Sequence, residues 1–125
     1  MNKHNTHNIL IVEDENSLRR LMSYRLGKEF NVRAASNGEE ALEEVKKQIP
    51  DLIISDIMMP KMDGYALHAA LQSNQETQAI PFVFLTAKAD RLSRTKGAES
   101  GADLYITKPF DIETLFQQVH KLLGE

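Results

Sequence analysis

The sequence predicts an α/β fold, a doubly wound (βα)5 sandwich around a five-stranded parallel sheet in the order 2-1-3-4-5. Three observations carry this. Short apolar runs alternate with segments whose apolar residues recur at helical spacing throughout the 125 residues. Strands that alternate with helices close through right-handed crossovers into a parallel sheet. Finally, the first, third and fourth runs are continuously apolar, as strands buried on both faces are, whereas the second and fifth are mixed or alternating, as edges are.

The first strand is Asn8-Ile9-Leu10-Ile11-Val12, ending in the acidic turn Glu13-Asp14-Glu15. Leu18, Leu21, Met22 and Leu26 then recur at helical spacing. The mixed run Asn31-Val32-Arg33-Ala34-Ala35-Ser36 predicts the second strand, and Asn37-Gly38 opens a helix with Ala41, Leu42, Val45 and Ile49 as its apolar face. Asp51-Leu52-Ile53-Ile54-Ser55-Asp56 is the third strand, bounded by Pro50 before it and by Pro60 and Gly64 after it. After that loop Asp63 caps a helix with Ala66, Leu67, Ala70 and Leu71 on one face.

Pro81-Phe82-Val83-Phe84-Leu85-Thr86 is the fourth strand, proline being acceptable at a strand's first residue. The helix after it, from Asp90 to Ser100, has Leu92 as its only large apolar residue, amid Arg91, Arg94 and Lys96, so it is expected to pack weakly and to be easily repositioned. Asp103-Leu104-Tyr105-Ile106-Thr107 alternates as an edge strand does. Asp111 then caps a last helix that buries Ile112, Leu115, Phe116, Val119, Leu122 and Leu123. The resulting winding is flavodoxin-like, with its switch point between the first and third strands and a crevice at their carboxyl ends.

Composition narrows the function. The length and the 42% hydrophobic content suit one compact domain, expected over residues 9–125 behind a mobile N-terminal tail at 1–8. Fifteen basic against eighteen acidic side chains leave a formal charge of -3 and no nucleic-acid footprint, so direct nucleic-acid binding is not expected. The absence of cysteine excludes disulfides and thiolate chemistry. No run approaches the roughly 18 apolar residues of a membrane span and the polar start lacks a signal peptide's apolar centre, so a cytoplasmic location without membrane contact is expected. His4 and His7 in the tail, and His68 and His120 on helices, are expected to be adventitious or packing residues.

The chemistry lies at the strand ends. Glu13 and Asp14 follow the first strand, Asp56 ends the third, Thr86 ends the fourth and Lys108 follows the fifth, so the topology brings three acids, a hydroxyl and an ammonium to one crevice. Clustered carboxylates repel unless a cation neutralises them, and hard oxygen ligands with few protein contacts suit Mg²⁺. A cation beside Asp56, with Lys108 and Thr86 facing it, suits phosphoryl transfer in which Asp56 attacks in line and becomes an acyl phosphate.

These residues resemble the receiver domains of two-component response regulators over almost the whole chain. The resemblance rests on Glu13-Asp14, Asp56 with Met59-Pro60 and Asp63-Gly64 beyond it, Leu85-Thr86-Ala87, and Gly101-Ala102-Asp103 leading to Lys108-Pro109-Phe110. It implies that Asp56 takes a phosphoryl group from a phosphohistidine on a sensor histidine kinase or a histidine phosphotransfer protein. It also implies Mg²⁺ held by Asp14, Asp56 and the backbone carbonyl of Met58, with Glu13 acting through water. Further implications are a cis peptide at Lys108-Pro109, Thr86 and Tyr105 as the switch pair, and Met58 and Lys88 as residues that tune the acyl-phosphate lifetime. Output to a downstream protein is implied on the face of the fourth helix, fifth strand and fifth helix, with the chain monomeric or dimerising on phosphorylation.

Two alternatives stand beside this reading, the first with the same fold and the second with a strand-ending Asp nucleophile. A phosphorylation-independent interaction module would not need the complete acid, Thr and Lys set. A phosphatase with an aspartate nucleophile, of the haloacid-dehalogenase type, would place a second Asp two residues on, where this chain has Met58. The expectation is therefore a switch that catalyses only its own phosphorylation and slow dephosphorylation, and no effector segment is read within the 125 residues.

Overall fold

The computed structural model describes residues 7–87 and 103–124. Their elements are β1 (Asn8–Val12), α1 (Asn16–Leu26), β2 (Asn31–Ala35), α2 (Gly38–Lys47), β3 (Leu52–Asp56), α3 (Gly64–Gln72), β4 (Phe82–Ala87), β5 (Leu104–Lys108) and a last helix, Ile112–Leu122. All strand pairs are parallel and the order is β2-β1-β3-β4-β5. The expectations for Asp90 to Ser100, Lys88, Gly101-Ala102 and His4 lie outside the described residues.

The core divides into two layers because side chains of a strand alternate between its faces. Ile9, Ile11, Leu52, Ile54, Val83 and Leu85 pack with Met22 and Leu26 of α1 and with Leu115, Phe116 and Val119 of the last helix. On the other face Leu10, Val12, Ile53, Phe82 and Phe84 pack with Ala41 and Val45 of α2 and with Leu67 and Leu71 of α3. The central strands are thus buried on both sides, which is why their sequences are continuously apolar. Each large apolar side chain buried this way contributes about 1.5–3 kcal/mol relative to exposure.

Caps fix where the helices start. Glu15 caps α1, accepting from the Leu18 and Ser17 N–H groups; Asn37 caps α2 through the Glu40 N–H; and Asp63 caps α3 through the Ala66 N–H. Asp111 stands at the cap position of the last helix but makes no side-chain bond to its backbone, and instead accepts from Thr114 Oγ1 at 3.1 Å.

Several local expectations are corrected. Leu21 is 50% exposed and Ile49, two residues past the end of α2, is 45% exposed, because the sheet-facing stripes run through Met22 and Leu26 and through Ala41 and Val45 instead. In α3 the buried stripe is Gly64, Leu67, His68 and Leu71, while Ala66 is exposed. The His68 ring sits against Phe82 and Phe84, with centroids 4.6 and 5.7 Å away, and is buried as a hydrophobe would be. β5 runs one residue further than expected, so Lys108 ends the strand rather than following it. Asn8, placed both in the tail and at the start of the first strand, is the first residue of β1.

Candidate functional site

Parallel register brings the candidate site side chains together. Val12 pairs with Ser55, Asp56 with Leu85, and Thr86 with Thr107, so the carboxyl ends of β1, β3, β4 and β5 form one row. Asp56 ends β3 and is 8% exposed. Its Oδ1 accepts from the Ile57 N–H at 2.9 Å, and its Oδ2 accepts from Lys108 Nζ at 3.1 Å. The same ammonium donates to Glu13 Oε1 at 3.0 Å, which makes Lys108 a bridge between two carboxylates.

Glu13 is wholly buried and held from several sides. Its N–H donates to the Ala35 carbonyl at 3.0 Å, extending the pairing of β1 with β2. Its Oε2 accepts from the Glu15 N–H at 3.1 Å. Its carbonyl accepts from Arg19 Nη1 at 2.8 Å. Asp14, next in the chain, is exposed at the mouth of the site. Glu13, Asp14 and Asp56 each present an oxygen within 4.8 Å of the others, a donor set of three hard carboxylate oxygens that fits a divalent cation.

The charges are strained in the expected directions. Burial raises the Glu13 carboxyl above its ordinary value and the charge of Asp56 adds to this, against the bonds from the Glu15 N–H and Lys108. Burial also raises Asp56, with Lys108 holding it back toward the ionised form. For Lys108 burial works against the charge, but the bond to Glu13 and the charge of Asp56 outweigh it and raise the ammonium. Three carboxylates beside one ammonium remain short of two positive charges, which a bound divalent ion would supply.

The loop after Asp56 is folded back on the site. Gly64 N–H donates to the Ile57 carbonyl at 2.8 Å, and a Cβ at Gly64 would run into the Asp56 carbonyl, with Ile57 Cα at 3.0 Å and the Phe84 ring at 3.1 Å. Only glycine lets α3 begin this close to the strand end. Within the loop Met62 N–H donates to the Pro60 carbonyl at 2.7 Å across Lys61, whose φ of 68° is in the left-handed region. Met58 projects from this loop, 68% exposed.

Thr86 is buried one residue before the end of β4, which runs on to Ala87 rather than stopping at Thr86 as expected. Tyr105 in β5 stacks on Phe84, with centroids 5.8 Å apart and ring planes 11° apart, and packs at the edge of the layer under α2 and α3. The Lys108–Pro109 peptide is cis. Beside Lys108 an open groove of about 690 Å³ is lined mainly by Leu18, Leu21, Pro109, Phe110 and Ile112. The structure thus joins Glu13 and Asp56 through Lys108, brings an oxygen of Asp14 within 4.8 Å of both acids, and sets Thr86, Tyr105 and Met58 on neighbouring segments. Sequence reading missed Arg19, since nothing in helical spacing distinguishes it from Arg20, and it left Glu15 undivided from the acidic pair, although Glu15 caps α1 and the other two do not.

A doubly wound sheet with three acids and a bridging lysine at its carboxyl edge places the candidate site at the topological switch point of the fold. Residues 9–120 match the family described as the response regulator receiver domain, and the chain belongs to that family. The chain is 40% identical over 116 residues to the alkaline phosphatase synthesis transcriptional regulatory protein PhoP of Bacillus subtilis, covering 92% of this chain and 48% of that protein. It therefore spans about half the length of the transcriptional regulators it matches. Among solved structures, the signal receiver domain of a signal transduction histidine kinase from Syntrophus aciditrophicus superposes with a TM-score of 0.89 at 37% identity, over 95% of this chain and 91% of that one. The receiver domain of sensor histidine kinase PA1611 from Pseudomonas aeruginosa, described with a magnesium ion coordinated in its active site cleft, superposes with a TM-score of 0.83 at 26% identity, over 97% of this chain and 100% of that one. Among the described residues no helix is long and apolar enough to cross a membrane.

Proposed function

We propose that the chain is a phosphorylation-controlled signalling switch in which Asp56 accepts a phosphoryl group from a phosphohistidine of a sensor histidine kinase or a histidine phosphotransfer protein. The observation that carries this is the Lys108 ammonium bridging Glu13 and Asp56 at 3.0 and 3.1 Å. A helix cap or a solvated surface charge would not draw a lysine between two buried carboxylates, because desolvating all three groups is costly unless the site has a use for them.

The chain's own residues divide the work. One oxygen of Asp56 attacks phosphorus in line with the donor's P–N bond. That bond breaks, its electron pair stays on the imidazole, which takes a proton from solvent, and aspartyl phosphate forms. Lys108, already hydrogen-bonded to Asp56 Oδ2, offsets charge on the transferring oxygens, and the Thr86 hydroxyl donates to one of them. Asp14, Asp56 and the Met58 carbonyl, with Glu13 through water, would hold Mg²⁺, which neutralises phosphoryl charge when bound. Residue 58 is methionine, so no acid stands two residues beyond Asp56 to drive a turnover phosphatase. The chain acts on itself, through phosphorylation and slow dephosphorylation.

The phosphodonor protein has to reach Asp56 past Lys108, and the apolar groove of Leu18, Leu21 and Phe110 that shares Lys108 with the site supports an approach over that surface. Output is assigned to β5, the last helix and the helix expected at 90–100, with Tyr105 turning inward as Thr86 shifts toward the phosphoryl group. Incubation with Mg²⁺ and acetyl phosphate followed by intact mass is the test. One added phosphoryl mass on the wild type and none on Asp56→Asn supports the reading; no addition on the wild type, or the same addition on both, refutes it.

A further inference from the structure

The turn between β1 and α1 is three residues long, and two of the three clustered carboxylates come from it. Glu13 is anchored on three sides by the Ala35 carbonyl, the Glu15 N–H and Lys108. The fourth anchor is Arg19. Its Nη1 donates to the Glu13 carbonyl at 2.8 Å, and its Nη2 donates to Asn16 Oδ1 at 2.5 Å. A guanidinium presents its donors in a rigid planar fork, so these two bonds fix the Glu13 carbonyl relative to the first residue of α1. Asp14 hangs between those two points, and the direction of its carboxylate follows from where they are held.

We infer that Arg19 is a positioning residue for the cation site, holding the turn in the shape that brings the Glu13 and Asp14 oxygens to Asp56 and so setting the affinity for Mg²⁺ without touching the ion. This rests on the reading of Glu13, Asp14 and Asp56 as a Mg²⁺ site. The sign of the effect separates positioning from simple charge. As a cation beside the acidic turn, Arg19 repels a divalent ion, so by charge alone its removal tightens binding. As a brace, its removal lets the turn spread and weakens binding, and supporting groups behind metal ligands typically carry about 10–100-fold in affinity.

The experiment is calorimetric titration of the chain with MgCl₂, comparing wild type, Arg19→Gln, Arg19→Lys and Arg20→Gln. Arg20 is exposed on the same helix, and its variant loses the same charge. The expected result is Mg²⁺ binding about 10-fold weaker in Arg19→Gln, unchanged or slightly tighter in Arg20→Gln, and intermediate in Arg19→Lys, which keeps the charge and loses the fork. Phosphorylation of Arg19→Gln by acetyl phosphate should return to the wild-type rate when Mg²⁺ is raised by the same factor. Unchanged or tighter binding in Arg19→Gln, or an equal change in Arg20→Gln, overturns the positioning role. Absence of Mg²⁺ binding by the wild type overturns the reading of the site itself. If Arg19→Gln does not fold, Arg19→Lys decides, and wild-type affinity in that variant overturns the inference.

Discussion

Mild acid should destabilise this protein through His68, and the amount can be bounded from its surroundings. The imidazole is 2% exposed between Phe82 and Phe84, its Nδ1 has no hydrogen-bond partner, and its Nε2 lies 3.3 Å from Gln72 Nε2. Burial lowers its pKa from the ordinary value of 6.5, with the Asp103 charge pulling weakly the other way. The unfolded chain therefore binds a proton at this residue before the folded one does, so its share of stability is whole above 6.5 and is lost as the pH falls toward the lower folded value. The loss approaches about 1.4 kcal/mol per pH unit inside that window, so going from about pH 7.5 to about pH 5.5 removes up to about 1.4 kcal/mol. In His68→Leu the titration is gone. The assay is urea denaturation followed by far-UV circular dichroism at both pH values, taking the difference between the two proteins so that all other titrating groups cancel. A difference that is the same at both pH values would show that the folded imidazole charges as freely as the unfolded one and would refute the argument.

Three further outcomes follow from the site. Lys108→Met removes the cation shared by Glu13 and Asp56, and phosphorylation by acetyl phosphate should slow by roughly 100-fold or more with the helical circular dichroism retained; an unchanged rate would remove Lys108 from the chemistry. Gly64→Ala drives a methyl group into the Asp56 carbonyl and the Ile57 Cα, with an expected loss of about 1–3 kcal/mol in urea denaturation, and an unshifted midpoint would mean the loop yields freely. Leu21→Glu, at an exposed position in the groove beside Lys108, should slow phosphoryl transfer from a protein donor and leave transfer from acetyl phosphate unaltered; equal slowing from both donors would place the defect inside the site instead.

Strand order was legible because burial is a demand on every residue of a strand. Ile9 to Val12 and Leu52 to Ile54 have no polar side to show to water, so they could only be central, and Asp56 at the end of such a run had to emerge at the carboxyl edge of the sheet. The helices were legible as helices but not always as faces. A spacing of three and four residues admits neighbouring stripes, and in α3 the choice fell on His68 rather than Ala66 because two phenylalanines from β4 present their rings to that side. Histidine itself gives no signal, being apolar in body and polar at its edge. Leu21 had the right spacing for the core, but among the described residues no element covers it.

The site divides in the same way. The sequence by itself determined the fold class, the strand order and the set of side chains that meet at the carboxyl edge of the sheet, since each of these depends on local pattern: apolar runs, helical periods, and an acid, hydroxyl or ammonium at the end of a strand. Only the tertiary structure decided the pairings. That Lys108 bridges Glu13 and Asp56, that Glu15 caps the helix while its two neighbours face the site, and that Arg19 rather than Arg20 grips the turn all depend on distances between segments far apart in the chain, or on the rotation of a helix about its axis. Hydrogen bonds and ion-pair contacts are made only within a few ångströms, and a linear pattern of residues fixes no such distance until the sheet is assembled.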